Sequence, residues 1–206
     1  MTTSKRAFDV ALALCALVIF ALPAAVISVL LMVRQGRPIF YGSERMKSPN
    51  RAFQLWKFRT MLIDGADSGV SGGDKSGRIT PLGHVLRRLR LDELPQLWNI
   101  LRGDMTFVGP RPPLRTYVDR FPDLYAKVLQ SKPGLAGLAT LIFHRHEVRL
   151  LAACKTASET DAVYVRTCIH RKGRLDLIYQ AKRTFWLDLV LLWQTVWLVL
   201  SKSKAG

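Results

Sequence analysis

Two adjacent carboxylates, Asp92 and Glu93, follow Arg87, Arg88 and Arg90, and a further arginine, Arg111, stands between Pro110 and Pro112. Acidic and basic groups this close either form a solvated charge run or assemble a site for an anion. Pro95 bears on the choice, because proline is tolerated only in the first turn of a helix. A short helix over Leu94–Leu101, ended near Gly103, therefore places Asp92 and Glu93 at its N-terminus, where free backbone N–H groups favour anions. Simple capping accounts for one carboxylate, with Asp92 as N-cap and Glu93 in the first turn. It leaves Arg111 unexplained. Flanking prolines hold that guanidinium in an extended loop after a short apolar strand, Met105–Val108, and a fork presented in this way suits bidentate phosphate contact.

The elements around these residues follow from local pattern. Ala52–Met61, AFQLWKFRTM, reads as a strand that sends Lys57 and Arg59, two apart, to one face. Asp64–Arg78 holds five glycines and no apolar period, and is expected to be a mobile loop. Thr80 and Pro81 open a helix as N-cap and first residue, with Leu82, Val85, Leu86 and Leu89 as its buried stripe. Pro133–Gly134 has the chemistry of a turn. His144 and His146 would share one face of a strand, but no third metal ligand accompanies them.

Composition sets the environment. Lys and Arg number 31 against 15 Asp and Glu in 206 residues, a net charge of +16 that calls for an anionic partner: nucleic acid, phospholipid or a phosphorylated substrate. Cys15, Cys154 and Cys168 are scattered, which suggests neither disulfides nor zinc and fits a reducing, cytosol-facing setting. Val10 to Val33 is a run of 24 uncharged residues, long enough to cross a hydrocarbon core. The run continues past LPAA, unlike a signal peptide. Pro23 lies near its middle and is expected to bend it, and cationic residues flank both ends: Lys5 and Arg6 before, Arg34, Arg37 and Arg45 after. A helix re-entering the same leaflet satisfies both flanks, while a spanning helix violates one; the residues leave both open.

At the other end, Phe185–Leu200 is apolar but interrupted by Asp188 and Gln194. On a helix Trp186, Trp193 and Trp197 fall within about 40° of one another, as suits a helix lying in the headgroup layer, although a tryptophan-rich core helix has the same pattern. Upstream, Arg166, Arg171, Lys172, Arg174, Lys182 and Arg183 supply a basic surface for anionic lipid.

Taken in order, KFRTM (Lys57–Met61), RITPLG (Arg78–Gly83), LDELPQLWNILRGDM (Leu91–Met105) and VGPRP (Val108–Pro112) make the chain resemble the monotopic phosphoglycosyl transferases, the bacterial sugar transferase family, in their small catalytic form. The resemblance runs from about Lys5 to Leu200. It implies a mainly helical α+β, membrane-associated enzyme: a re-entrant helix over residues 1–36 bent at Pro23, then a cytosol-facing catalytic domain over 37–206 with short strands and an interfacial helix at 185–200. Its members move a sugar-1-phosphate from a UDP-sugar to undecaprenyl phosphate and release UMP. By the same resemblance Asp92 matches the nucleophile, Glu93 its partner at an essential Mg²⁺, and both would serve the metal. Arg111 with Pro110 and Pro112 matches the phosphate-contacting motif, while Lys57 and Arg87 match basic active-site positions; Arg59, beside Lys57 on the strand, is expected to bind substrate with them. Pro23, Trp186, Trp193 and Trp197 would meet phospholipid at the cytoplasmic face of the bacterial inner membrane. A homodimer is left open, as is the donor sugar.

Three features depart from the family pattern: Leu22 rather than Ser before Pro23, ERMKSPN around Arg45, and LAGLATLIFHRH after Pro133–Gly134. Two other function classes compete. A membrane-anchored nucleic-acid-binding protein would interleave aromatics with its basic residues, and here the aromatics sit in apolar segments, so no nucleic-acid partner is expected. A membrane scaffold would need neither the acidic pair nor Arg111.

Overall fold

The computed structural model describes residues 2–64 and 69–203. Thr2 caps the first helix, α1 (Thr3–Gln35), by accepting from Lys5 N, and the helix continues through Pro23 without a break. Proline removes one backbone donor there, yet the turns on either side hold, so the expected bend is not marked by an interruption. α1 is held at both ends and bare between them. Near its start Ala13 packs with Phe53, Leu97, Ile100, Phe107 and Leu191; near its end Ile27 and Leu31 pack with Phe58 and Leu86. Every residue from Leu17 to Leu22 is exposed, Val18 by 80 % and Leu22 by 74 %.

Polar groups fix the same two ends. Asp9 is buried and accepts from Thr106 Oγ1 at 2.7 Å and Phe107 N at 3.2 Å. Lys5 Nζ donates to Val108 O at 2.9 Å and to Asp188 Oδ2 at 2.6 Å. Arg6 donates to the carbonyls of Ile100 and Leu101. At the far end Gln35 Nε2 donates to Thr80 Oγ1, and Arg59 caps the carbonyls of Gln35 and Gly36.

An antiparallel hairpin follows, β1 (Phe40–Ser48) with β2 (Arg51–Phe58), in which Tyr41 pairs with Lys57. Strand alternation sends Phe53 and Leu55 into the core. Part of the glycine-rich loop, residues 65–68, lies outside the described residues. Its later portion is ordered by a 3-10 turn over Gly73–Arg78, with Lys75 buried. α2 (Pro81–Arg88) starts as the sequence dictates: Thr80 Oγ1 accepts from Gly83 N at 3.0 Å, and Pro81 is the first residue. Its expected apolar stripe is narrower than the spacing predicts, because Leu86 is buried while Val85 is 44 % exposed. Two turns of helix cover one side of their neighbours only.

The dyad does not cap a helix. Leu91–Glu93 forms a separate 3-10 turn, and α3 begins only at Gln96, running to Arg102. Gly103 ends it at φ +82°, a conformation glycine adopts without steric cost. β3 (Thr106–Val108) pairs in parallel with β4 (Gly134–Ala136), so the presumed turn at Pro133–Gly134 is the start of a strand. Glycine is required there: a Cβ on Gly134 would lie 2.1 Å from Gly109 N.

α4 (Arg115–Arg120) and α5 (Pro122–Val128) lead on to β4, and α6 (Leu138–Ala152) follows it. His144 and His146 therefore sit on a helix, about 200° apart around its axis rather than on one face. No group of three or more metal-ligating side chains occurs among the described residues. α7 (Ala157–Val163), a π-helical turn (Tyr164–Ile169) and α8 (His170–Lys182) complete a second core around Met46, Tyr117, Phe143 and Ile169. Within the expected basic surface Lys172 is an exception, paired with Glu147 at 2.7 Å.

α9 (Phe185–Ser203) turns its indoles outward. Trp186, Trp193 and Trp197 are 74 %, 67 % and 63 % exposed, which removes the core-helix reading. Asp188, which interrupts the apolar run in sequence, is buried and accepts from Lys5 and from the Tyr179 hydroxyl at 2.6 Å. One charge per end ties α9 to α1.

Candidate active site

Three elements bring the chemistry together: the end of β2, the turn after α2 and the loop after β3. Arg90 takes a left-handed conformation, φ 55°, immediately before the dyad. A non-glycine residue held there marks a site that the surrounding structure over-determines. The reversal is tied by Glu93 N donating to Arg90 O, and it leaves the side chains of Arg90 and Glu93 together.

Glu93 is the hub. Its Oε1 accepts from Lys57 Nζ at 3.1 Å and from Arg111 Nη2 at 3.0 Å, and its Oε2 accepts from Arg90 Nη2 at 2.6 Å. Burial opposes its charge, but Lys57, Arg111 and Arg90 outweigh burial and hold Glu93 well below the usual carboxylate range. The effect is mutual for Arg111, whose guanidinium is shifted upward by Glu93. Lys57 goes the other way: burial lowers it, with Arg111 adding to the shift and Glu93 resisting it.

Asp92 is a different kind of carboxylate. It is 7 % exposed, and among the described residues no hydrogen bond or ion pair engages its side chain. Burial and the neighbouring charge of Glu93 push its pKa up, against the pull of Lys57, Arg87 and Arg90. Two adjacent acids are thus shifted in opposite directions, the pattern by which one site assigns two roles to chemically similar groups.

Arg87 donates to Thr60 Oγ1 at 2.8 Å, on the Asp92 side of the cluster. Pro110 and Pro112 are both buried, and the loop carrying Arg111 is braced from outside: Met46 N donates to Pro113 O, and Gly134 N to Pro110 O. Arg59 is not part of the group. Although two residues from Lys57, it lies beyond the end of β2 and serves the C-terminus of α1, so the expected two-cation edge is divided. Arg45 was not singled out by sequence, yet burial and the nearby Arg111 lower its pKa to about 10. The signal in sequence was only the departure around ERMKSPN. Asp188 and Asp9 were likewise passed over, because isolated acids in apolar stretches read as interruptions.

These features meet a clear likeness. The model of the bacterial sugar transferases matches residues 1–202. The chain belongs to that family. Over 203 residues it is 30 % identical to the UDP-N-acetylgalactosamine-undecaprenyl-phosphate N-acetylgalactosaminephosphotransferase of Aeromonas hydrophila, covering 96 % of this chain and 44 % of the relative. It is 34 % identical to the uncharacterized sugar transferase EpsL of Bacillus subtilis, covering 93 % and 85 % respectively. A third relative, the UDP-glucose:undecaprenyl-phosphate glucose-1-phosphate transferase of Escherichia coli, is 31 % identical over 79 % of this chain and 36 % of its own length. The chain thus spans less than half of the Aeromonas and Escherichia relatives. Among the described residues of this bacterial sugar transferase one helix, α1, is long and apolar enough to cross a membrane, with only 11 % of its most apolar stretch buried.

Proposed function

We propose that this chain transfers a sugar-1-phosphate from a UDP-sugar to undecaprenyl phosphate by way of a covalent intermediate on Asp92. The observation that carries the reading is the division of labour in the dyad. Glu93 is neutralised by three cations, whereas Asp92 keeps a raised pKa and an unengaged carboxylate. An ionised Asp92 oxygen attacks the sugar-bearing phosphorus of the donor, the P–O bond to UMP breaks, and UMP leaves with the electron pair. An oxygen of the acceptor phosphate then attacks the same phosphorus, releasing Asp92 and forming the polyprenyl diphosphate sugar. Arg111, Lys57 and Arg87 are placed to balance the charge on the phosphates during both displacements.

The dyad suits a magnesium ion in one form only. Two carboxylates are too few to cage the ion, but they are the kind of set magnesium uses when substrate phosphates complete its shell. Asp92 and Glu93 would hold it, with Glu93 giving up one of its cations. Bound there, it would draw negative charge from the phosphate oxygens.

Membrane attachment is part of the proposal. Both ends of α1 dock on the same folded body, and the middle from Leu17 to Leu22 is bare. A helix crossing a bilayer cannot keep both ends on one side, so the contacts support re-entry from the cytoplasmic face of the inner membrane, with Trp186, Trp193 and Trp197 in the headgroup layer. The test is direct. Purified protein in detergent, given a panel of UDP-sugars, Mg²⁺ and polyprenyl phosphate, should release UMP and label Asp92 with phosphosugar. Robust transfer by a folded Asp92→Asn variant would overturn the nucleophile.

A further inference from the structure

A groove of about 450 Å³ runs between α6 and α9, lined by Leu141, Trp193, Gln194, Trp197 and Leu198. Beside it a smaller hollow of about 170 Å³ shares Leu141 and Leu198 and is lined as well by Arg87, Arg88, Arg90, Thr140 and Thr195. One end of this path is apolar and aromatic; the other is cationic. The cationic end also touches the catalytic cluster, because Arg90 donates to Glu93 Oε2 and both Arg87 and Arg90 act on the charge of Asp92.

We infer that the path seats the acceptor, with the phosphate of a polyprenyl phosphate among Arg87, Arg88 and Arg90 and its first isoprene units along Leu141, Trp193, Trp197 and Leu198. This rests on the proposed transfer reaction and adds where the second substrate lies. Charge complementarity selects the occupant: a ligand filling the whole path must be anionic at one end and a slender hydrocarbon from there on. Position supports it as well. A phosphate held by three arginines beside Asp92 is poised to attack a phosphosugar carried on that residue. The two outer walls, Trp193 and Trp197, stack at 6.3 Å yet remain largely exposed, which leaves the apolar end open toward the lipid in which α9 lies. The rest of the chain of the acceptor therefore stays in the bilayer.

The test separates the path from the reaction. Exchange of labelled UMP into UDP-sugar by the wild type needs no acceptor, and its absence would sink the reaction reading itself. Filling the groove with Leu141→Trp or Leu198→Trp should raise KM for polyprenyl phosphate about tenfold or more while kcat at saturation changes less than about threefold. Ile142→Trp, beside the groove but outside its lining, is the control and should leave KM near the wild-type value. Equal KM values in all three variants and the wild type would overturn the assignment. Since a filled groove can also prevent folding, a second measurement uses the wild type in lipid nanodiscs with a polyprenyl phosphate bearing a diazirine in its second isoprene unit. Crosslinks should map to residues 140–144 or 193–199 and be competed by unlabelled polyprenyl phosphate. Crosslinks confined to α1, or competed equally by phosphatidylglycerol, would overturn it.

Discussion

Lys57 and Arg111, from a strand and a loop 54 positions apart in the chain, close on the same oxygen of Glu93 at 3.1 and 3.0 Å. One carboxylate therefore holds two cations that would otherwise repel each other, and Arg90 adds a third on the second oxygen. Glu93→Gln leaves that cluster without its counter-charge. The variant should lose turnover and also lose about 2–3 kcal/mol of stability, below the 3–5 kcal/mol of a fully buried pair because water still reaches Lys57 and Arg111. Because the folded pKa of Glu93 is depressed, its contribution is present above the ordinary glutamate value and disappears as pH falls toward the folded one. Thermal unfolding across pH should show the difference between wild type and variant shrinking in acid.

Asp92 has the opposite sign. With its folded pKa raised, the native state binds the proton more tightly, so this group costs stability as pH rises through the window between its unfolded and folded values. Asp92→Asn should abolish UMP release yet raise Tm near neutral pH by about 2–4 °C, the scale of 1 kcal/mol in a chain this size. A Tm gain that persists unchanged in acid would contradict the charge argument. In the wild type, UMP release should fall on the acid side at a higher pH than an ordinary aspartate would give.

Arg111→Lys keeps the charge and loses the planar fork. A loss of about 1–3 kcal/mol of transition-state stabilisation corresponds to roughly 5- to 150-fold in kcat/KM. Steady-state kinetics with saturating acceptor read this directly, and an unchanged value would place Arg111 outside the phosphate site.

Magnesium alone should leave the unfolding temperature unchanged, because Glu93 is already neutralised and two carboxylates offer too few ligands. Magnesium with a UDP-sugar should raise it, and more than the UDP-sugar does without the metal. Differential scanning fluorimetry of the wild type without acceptor reads both, and Asp92→Asn, which lacks one of the two carboxylates, should lose the metal-dependent part of the gain.

Cysteines placed at Ser4 and Ser43, in a variant with Cys15, Cys154 and Cys168 replaced, should both resist a membrane-impermeant thiol reagent in spheroplasts and both react after lysis. Labelling of position 4 from outside would refute re-entry.

What was legible in the sequence was local. Thr80 and Pro81 announce α2 because a cap and a first-turn proline act within one turn, and Gly103 ends α3 for the same reason. The acidic pair, Lys57 and Arg111 were legible as chemistry because their types recur at family spacing. Non-local facts were not. The parallel pairing of Thr106 with Gly134 turns an apparent Pro133–Gly134 turn into a strand. Arg59 looked like a companion of Lys57 until the end of α1 claimed it. His144 and His146 suggested a strand, although Leu138–Ala152 is helical and packs Phe143 inward. Asp188 offered no sign of its partner, Lys5, since nothing in an apolar segment tells which distant cation will reach it.

The buried contacts of Asp9 carry a consequence for synthesis. Its partners, Thr106 and Phe107, lie 97 and 98 residues downstream, and the partner of Lys5 lies 183 downstream. As the chain leaves the ribosome, α1 is made long before any of them exists. For that interval a carboxylate and an ammonium wait without these partners. The last long helix to be made, α9, delivers Asp188 and closes the ring through Lys5 to Val108, three residues before Arg111. A nascent chain halted before that point would leave Lys5 without the carboxylate that completes its contacts.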